Sequence, residues 1–181
     1  MRKRMLLLAL LVVPVLALGL LGGLATANDG VSNQLRDVER ATRQYRDVEV
    51  AKNAGYAELK DKDQIACIDL SGVGGMGIHY VNLGLVVDPK LDPNEPESLV
   101  YAPAHNGRLK LVAVEYIVDA ATWDSTHSGP PTLFGNVEFP KTPDGNRFGI
   151  PAFYALHAWI YRPNSLGVFN PWNPRVTCPP A

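Results

Sequence analysis

The chain has 181 residues, 17 basic and 18 acidic side chains, a net charge of −1 and two cysteines. That length suits one domain with a real core. The charge balance argues against a nucleic-acid surface, and the absence of a C-x-x-C argues against a redox pair or a thiolate metal site.

The N-terminus reads Met1-Arg2-Lys3-Arg4, then runs without charge to Leu24 and on to Ala25-Thr26-Ala27. A basic start, an apolar stretch and an A-x-A box predict a secretory signal peptide over residues 1–27, cleaved after Ala27. The competing reading is a permanent membrane anchor; Gly19, Gly22, Gly23 and the A-x-A box favour cleavage, with no stable membrane span afterwards. Removing the leader takes Arg2, Lys3 and Arg4 and leaves 14 basic against 18 acidic residues. The expected mature protein is residues 28–181, one domain, secreted or in the periplasm or cell envelope. In that compartment Cys67 and Cys178 are expected to form a disulfide.

Leu35, Val38, Ala41, Tyr45, Val48 and Ala51 recur at helical spacing, behind Ser32 or Asn33 as N-cap and ahead of Gly55. They predict one amphipathic helix of about five or six turns. Ile65–Leu70 reads as a short strand. The run Ser71–Gly77 is glycine-rich but has no G-K-[ST] and no following helix, so it is a close-packed or flexible turn rather than a phosphate loop. Ile78–Asn82 is strand-like, and apolar character continues to Val87. Asp88–Glu97, with three prolines, is a loop. Leu99–Ala102 and Leu109–Val118 flank His105-Asn106-Gly107 and predict an antiparallel hairpin. Residues 119–131 form a loop, Thr132–Phe139 a possible short strand, and 140–151 a polar connection.

Phe153–Tyr161 is an aromatic-rich strand bracketed by Pro151 and Pro163. Alternation puts Phe153, Ala155, His157, Trp159 and Tyr161 on one face. The proline-rich C-terminal tail is expected to lie over the domain, held by the disulfide and Trp172. One helix followed by hairpin-linked strands predicts an α+β fold, the helix packed on a largely antiparallel sheet. Whether that sheet is open or curled into a half-barrel stays undecided at this level.

Four segments, Gly75-Met76-Gly77-Ile78-His79-Tyr80, Val114-Glu115-Tyr116, Ala155-Leu156-His157-Ala158-Trp159 and Trp172-Asn173-Pro174-Arg175-Val176-Thr177-Cys178, resemble a group of small exported bacterial proteins of unassigned activity. The resemblance covers most of the chain after Tyr56. It implies export and a single domain, and no substrate, cofactor or catalytic residue.

Candidate chemistry rests on His79, Glu115 and His157, on three predicted strands. Glu115 shares its predicted face with Leu109, Leu111, Ala113 and Ile117, so a buried carboxylate needing partners is expected. If the three converge, two imidazoles and a carboxylate suit a divalent transition metal. A second reading lines a small-molecule pocket with Tyr80, Tyr116, Trp159 and Tyr161, with His157 and Glu115 as its orienting polar groups. The plainer alternative is that the histidines are hydrogen-bonded core groups and the aromatics ordinary packing. Ser71 lies outside any G-x-S-x-G, and Ser125 with His127 makes no triad. His105 and His127 are read as exposed turn residues. The functional expectation is therefore a protein binding a small ligand or metal ion; the alternatives are a metal-dependent enzyme using the same residues, or a structural module of the cell envelope.

Overall fold

The computed structural model describes residues 22–88, 90–104 and 106–179. Most of the expected leader, residues 1–21, and His105 lie outside the described residues. No helix among the described residues is long and apolar enough to cross a membrane.

In chain order the elements are α1 (Gly22–Thr42), a 3₁₀ turn (Arg43–Arg46), α2 (Val48–Asn53), β1 (Ala57–Glu58), β2 (Cys67–Leu70), β3 (Gly74–Val81), α3 (Leu83–Val86), β4 (Ser98–Pro103), β5 (Leu109–Asp119), α4 (Ala120–Asp124), β6 (Thr132–Leu133), β7 (Val137–Glu138), β8 (Lys141–Thr142) and β9 (Phe153–Ala158). The main sheet runs β1-β3-β4-β5-β9-β8, with β2 also pairing β3, and every pairing is antiparallel. The sheet is an open path, not a barrel. The fold is α+β, as the order of sequence signals implies.

The single helix expected between a Ser32 or Asn33 cap and Gly55 starts earlier, at Gly22, so that both expected caps lie inside it, and it is two helices joined by a tight turn. Tyrosines of the other elements draw out the carbonyls freed at the break: Tyr101 Oη–H donates to Tyr45 O at 2.6 Å, and Tyr161 Oη–H donates to Glu39 O at 3.0 Å. Thr42 Oγ1–H bonds back to Val38 O, a local bond that competes with helix continuation. Asp47 then caps the new start, its carboxylate accepting from Glu49 N.

Helices α1 and α2 cover one face of the sheet. Val38, Ala51, Tyr56, Tyr80, Tyr101 and Tyr116 belong to that core. The opposite face carries Val100, Ala102, Val112, Ala113, Trp159 and Val176 in a smaller cluster. A bulge divides β5: Val100 pairs Ala113 while Tyr101 pairs Leu111, so Val112 is extra. Leu111 and Leu109 thereby turn to the helix-covered core, and of the neighbours expected beside Glu115 only Ala113 and Ile117 keep its face.

The glycine run divides: Ser71–Val73 is an exposed turn, and Gly74–Gly77 is the close-packed start of β3. Gly74 has φ +141°, and a Cβ there would sit 2.4 Å from Asn173 O. The space is taken by the C-terminal tail, which bridges at Gly75–Asn173 and is fastened by the Cys67–Cys178 disulfide. The buried pins of the tail are Asn173 and Val176; Trp172, expected in that role, is only half-buried.

Candidate metal centre

Three strands of the sheet place the site. In one cross-strand row Val81, Ser98, Glu115 and His157 stand side by side on β3, β4, β5 and β9. The next row runs His79, Val100, Ala113. Partners across a ladder share a face, so His79, Glu115 and His157 all project from the side away from α1 and α2. The small side chains of Ser98 and Ala113 leave room for the imidazoles to lean across the sheet.

They meet. His79 Nε2 lies 3.2 Å from His157 Nε2 and 3.5 Å from Glu115 Oε2, and His157 Nδ1 lies 3.1 Å from Glu115 Oε1. One ligand atom from each lies within 4.8 Å of the other two, and all three residues are buried. Tetrahedral bonds of 2.0–2.1 Å place ligand atoms about 3.3 Å apart. The 3.2 and 3.5 Å separations of His79 Nε2 from its neighbours bracket that value.

Burial sets the protonation. It pushes Glu115 up to about 8, with the neighbouring Glu97 carboxylate adding to the effect. It holds His79 down to about 4, aided by the positive charge of Arg147, and holds His157 well below its ordinary value, aided by His79. Near neutrality the metal-free trio is therefore uncharged: two neutral imidazoles and a protonated carboxyl. Neutral imidazoles are already in the form a metal requires; only Glu115 has a proton to lose.

Among the described residues two buried side-chain polar atoms lack a hydrogen-bond partner, His79 Nδ1 and Ser98 Oγ. Both residues belong to the rows that build this site. Buried polar atoms are seldom left unpaired, so the orphans fall at the one place where the sheet face gathers ligand atoms. Ser98 went unremarked in the sequence; its position two residues before Val100, opposite Glu115, is the signal that would have found it.

The trio lines one side of a cavity of about 270 Å³. Its other walls are apolar, including Leu59, Ile117, Phe148, Ile150 and Phe153. The wall bearing Phe148 and Ile150 is tied down by Arg147, whose Nη2 donates to buried Asp61 Oδ2 at 2.7 Å while its carbonyl accepts from Lys62 N.

The aromatic residues expected around His157 divide between the two faces. Tyr80 packs edge-on against Tyr101 in the helix-covered core, its ring centroid 5.1 Å away. Tyr116 is in the same core and donates from Oη to Pro93 O at 2.7 Å. Each is one residue from a member of the trio, and strand alternation sends it the other way. The structure therefore corrects the expected pocket: Tyr80 and Tyr116 do not join His157. Trp159 stays beside it, ring centroids 5.9 Å apart, with its indole N–H donating to Asn170 O, but it does not line the cavity. Tyr161 also leaves the site, because β9 ends at Ala158 and the tyrosine reaches α1. His127 is exposed, as expected.

Comparison with protein-family models, with curated proteins and with solved structures returned no match.

Proposed function

We propose that this is an exported protein that binds one divalent transition-metal ion through His79, Glu115 and His157. The observation that carries the reading is the approach of three buried ligand atoms to within 4.8 Å of one another. Two imidazoles and a carboxylate suit zinc, and equally iron(II).

Export rests on the tripartite N-terminus and fits the Cys67–Cys178 disulfide, since disulfides persist in oxidising compartments. Three protein ligands leave at least one coordination position for something else, as catalytic sites do. A metal-dependent enzyme is accordingly the second reading, favoured by the cavity that adjoins the trio.

The test is metal content and titration. Protein exported and purified without chelator is assayed by elemental mass spectrometry, then stripped and titrated with Zn²⁺ and Co²⁺. One ion per chain is expected, lost in His157→Ala with the circular dichroism unchanged. Failure of the wild-type protein to bind any first-row divalent ion would reject the reading.

A further inference from the structure

We propose that the cavity beside the trio receives a small monoanion with an apolar body, whose anionic head completes the coordination of the metal. The inference rests on the metal reading above and adds the chemical class of the second ligand.

Charge gives the head. A divalent ion with one carboxylate and two neutral imidazoles carries a net charge of +1. Among the described residues that line the cavity there is no Lys or Arg, and no acid other than Glu115. A net charge held in apolar surroundings is costly unless it is paired. A donor atom bearing one negative charge, as in a carboxylate, brings the centre to neutrality; a cation or a dianion does not.

Shape and lining give the body. About 270 Å³ holds roughly nine groups of water size at ~30 Å³ each. Beyond the trio, Thr142 is the one described lining residue with a polar side chain. The cavity wall therefore offers almost no hydrogen bonds to a polar body. Leu83, 71 % exposed, and Ile150, 40 % exposed, also line the cavity and reach solvent. Exposed apolar side chains continuous with an apolar cavity suit the entry of an apolar molecule.

The experiment uses the full mature protein loaded with Co²⁺, whose visible absorption reports the coordination sphere. Straight-chain carboxylates from acetate to dodecanoate are titrated at fixed pH, with primary alcohols and alkylammonium ions of equal length as controls. Each added methylene should tighten carboxylate binding about three- to fourfold until the cavity is full, near eight to ten non-hydrogen atoms. The alcohols should bind at least ~10-fold more weakly, the loss of about 1.4 kcal/mol, and the ammonium ions should leave the spectrum unchanged. Ala155→Leu and Ala155→Phe, which fill the cavity from β9, should keep the Co²⁺ spectrum and weaken octanoate more than ~10-fold; a retained spectrum shows that the site is still folded. Affinity independent of chain length, equal binding of alcohols, or tight octanoate binding in both filled variants would overturn this inference and leave the metal reading intact. Absence of a Co²⁺ spectrum in the wild-type protein would overturn both.

Discussion

His79 and His157 bring their Nε2 atoms to 3.2 Å although their strands, β3 and β9, are separated by β4 and β5. Three strand spacings amount to about 14 Å of sheet. The combined reach of two imidazoles is shorter than that, so the side chains lean toward each other and the sheet also curls toward this face. Small neighbours permit this: Ser98 and Ala113 lie on the intervening strands, and Glu115 closes the remaining side. His79 Nδ1 has no partner among the described residues, and a metal held at Nε2 leaves it unpaired as well.

Glu115→Gln keeps the shape of the trio and removes the charge that a metal would need. Loss of a partner outside the coordination sphere already costs 10–100-fold in metal affinity as a general rule. Replacing this ligand is expected to weaken Zn²⁺ binding by at least ~100-fold, measured by competition with a chromophoric chelator. The metal-free variant should be at least as stable as wild type at pH 8, because the cost of burying an ionised carboxylate is gone.

The pH dependence of stability follows from the directions of shift. Glu115 and Glu97 have folded values raised by burial, to about 8 and about 7. Each contributes stability that is complete below its unfolded value near 4.5 and is lost as pH rises through the folded value. His79 and His157 are lowered, so their contribution is complete above about 6.5 and is lost as pH falls. Between about pH 4.5 and 6.5 the two effects oppose each other. Above 6.5 only the acids act, and the metal-free protein should lose stability up to about pH 8. Urea melts at half-unit steps check this; rising stability from pH 6.5 to 8 would contradict it.

Metal binding should reverse that trend. With both histidines already neutral, an ion entering at pH 7 displaces about one proton, from Glu115. The enthalpy of Zn²⁺ binding should therefore vary with the ionisation enthalpy of the buffer with a slope near one at pH 6.5–7, falling toward zero above pH 9. A slope near two at pH 7 would mean that a histidine also carries a proton.

Gly74→Ala should dislodge the C-terminal tail. The added Cβ would meet Asn173 O at 2.4 Å and the Cα of Pro174 at 2.7 Å, and φ +141° is strained for any other residue. A loss of about 1–3 kcal/mol is expected from the conformational strain alone. Limited proteolysis should then cut near residues 163–176 in the variant and not in the wild type. Reducing the Cys67–Cys178 bond, which closes a separation of 111 residues, should cost about 4–5 kcal/mol in the chain-entropy model.

Much of this site is legible in the sequence because strand alternation is local. It gives His157 the company of Ala155 and Trp159, and Glu115 that of Ala113 and Ile117. The same rule, applied strictly, already sends Tyr80 away from His79 and Tyr116 away from Glu115. An expected pocket joining those tyrosines to His157 conflicts with the parity of their own strands. Two features depend on pairing between distant segments. The order β3-β4-β5-β9 is one, and it decides whether the trio converges. The bulge at Val112 is the other; it exists only relative to β4, and it moves Leu109 and Leu111 off the face of Glu115. The break at Thr42 is likewise made by tyrosines 59 and 119 residues further on. Asn82, by contrast, was a readable helix start: its Oδ1 accepts from Gly84 N and opens the short helix α3, where apolar character alone suggested a continuing strand.

The most direct test of the central claim is X-ray absorption of the zinc-loaded protein, recorded for wild type and His79→Ala. Two imidazole nitrogens and oxygen at about 2.0–2.2 Å, with no sulfur, are predicted for wild type, and the loss of one imidazole in the variant. A first shell without imidazole scattering, or a spectrum unchanged by His79→Ala, would contradict the assignment of His79, Glu115 and His157 as the metal's ligands.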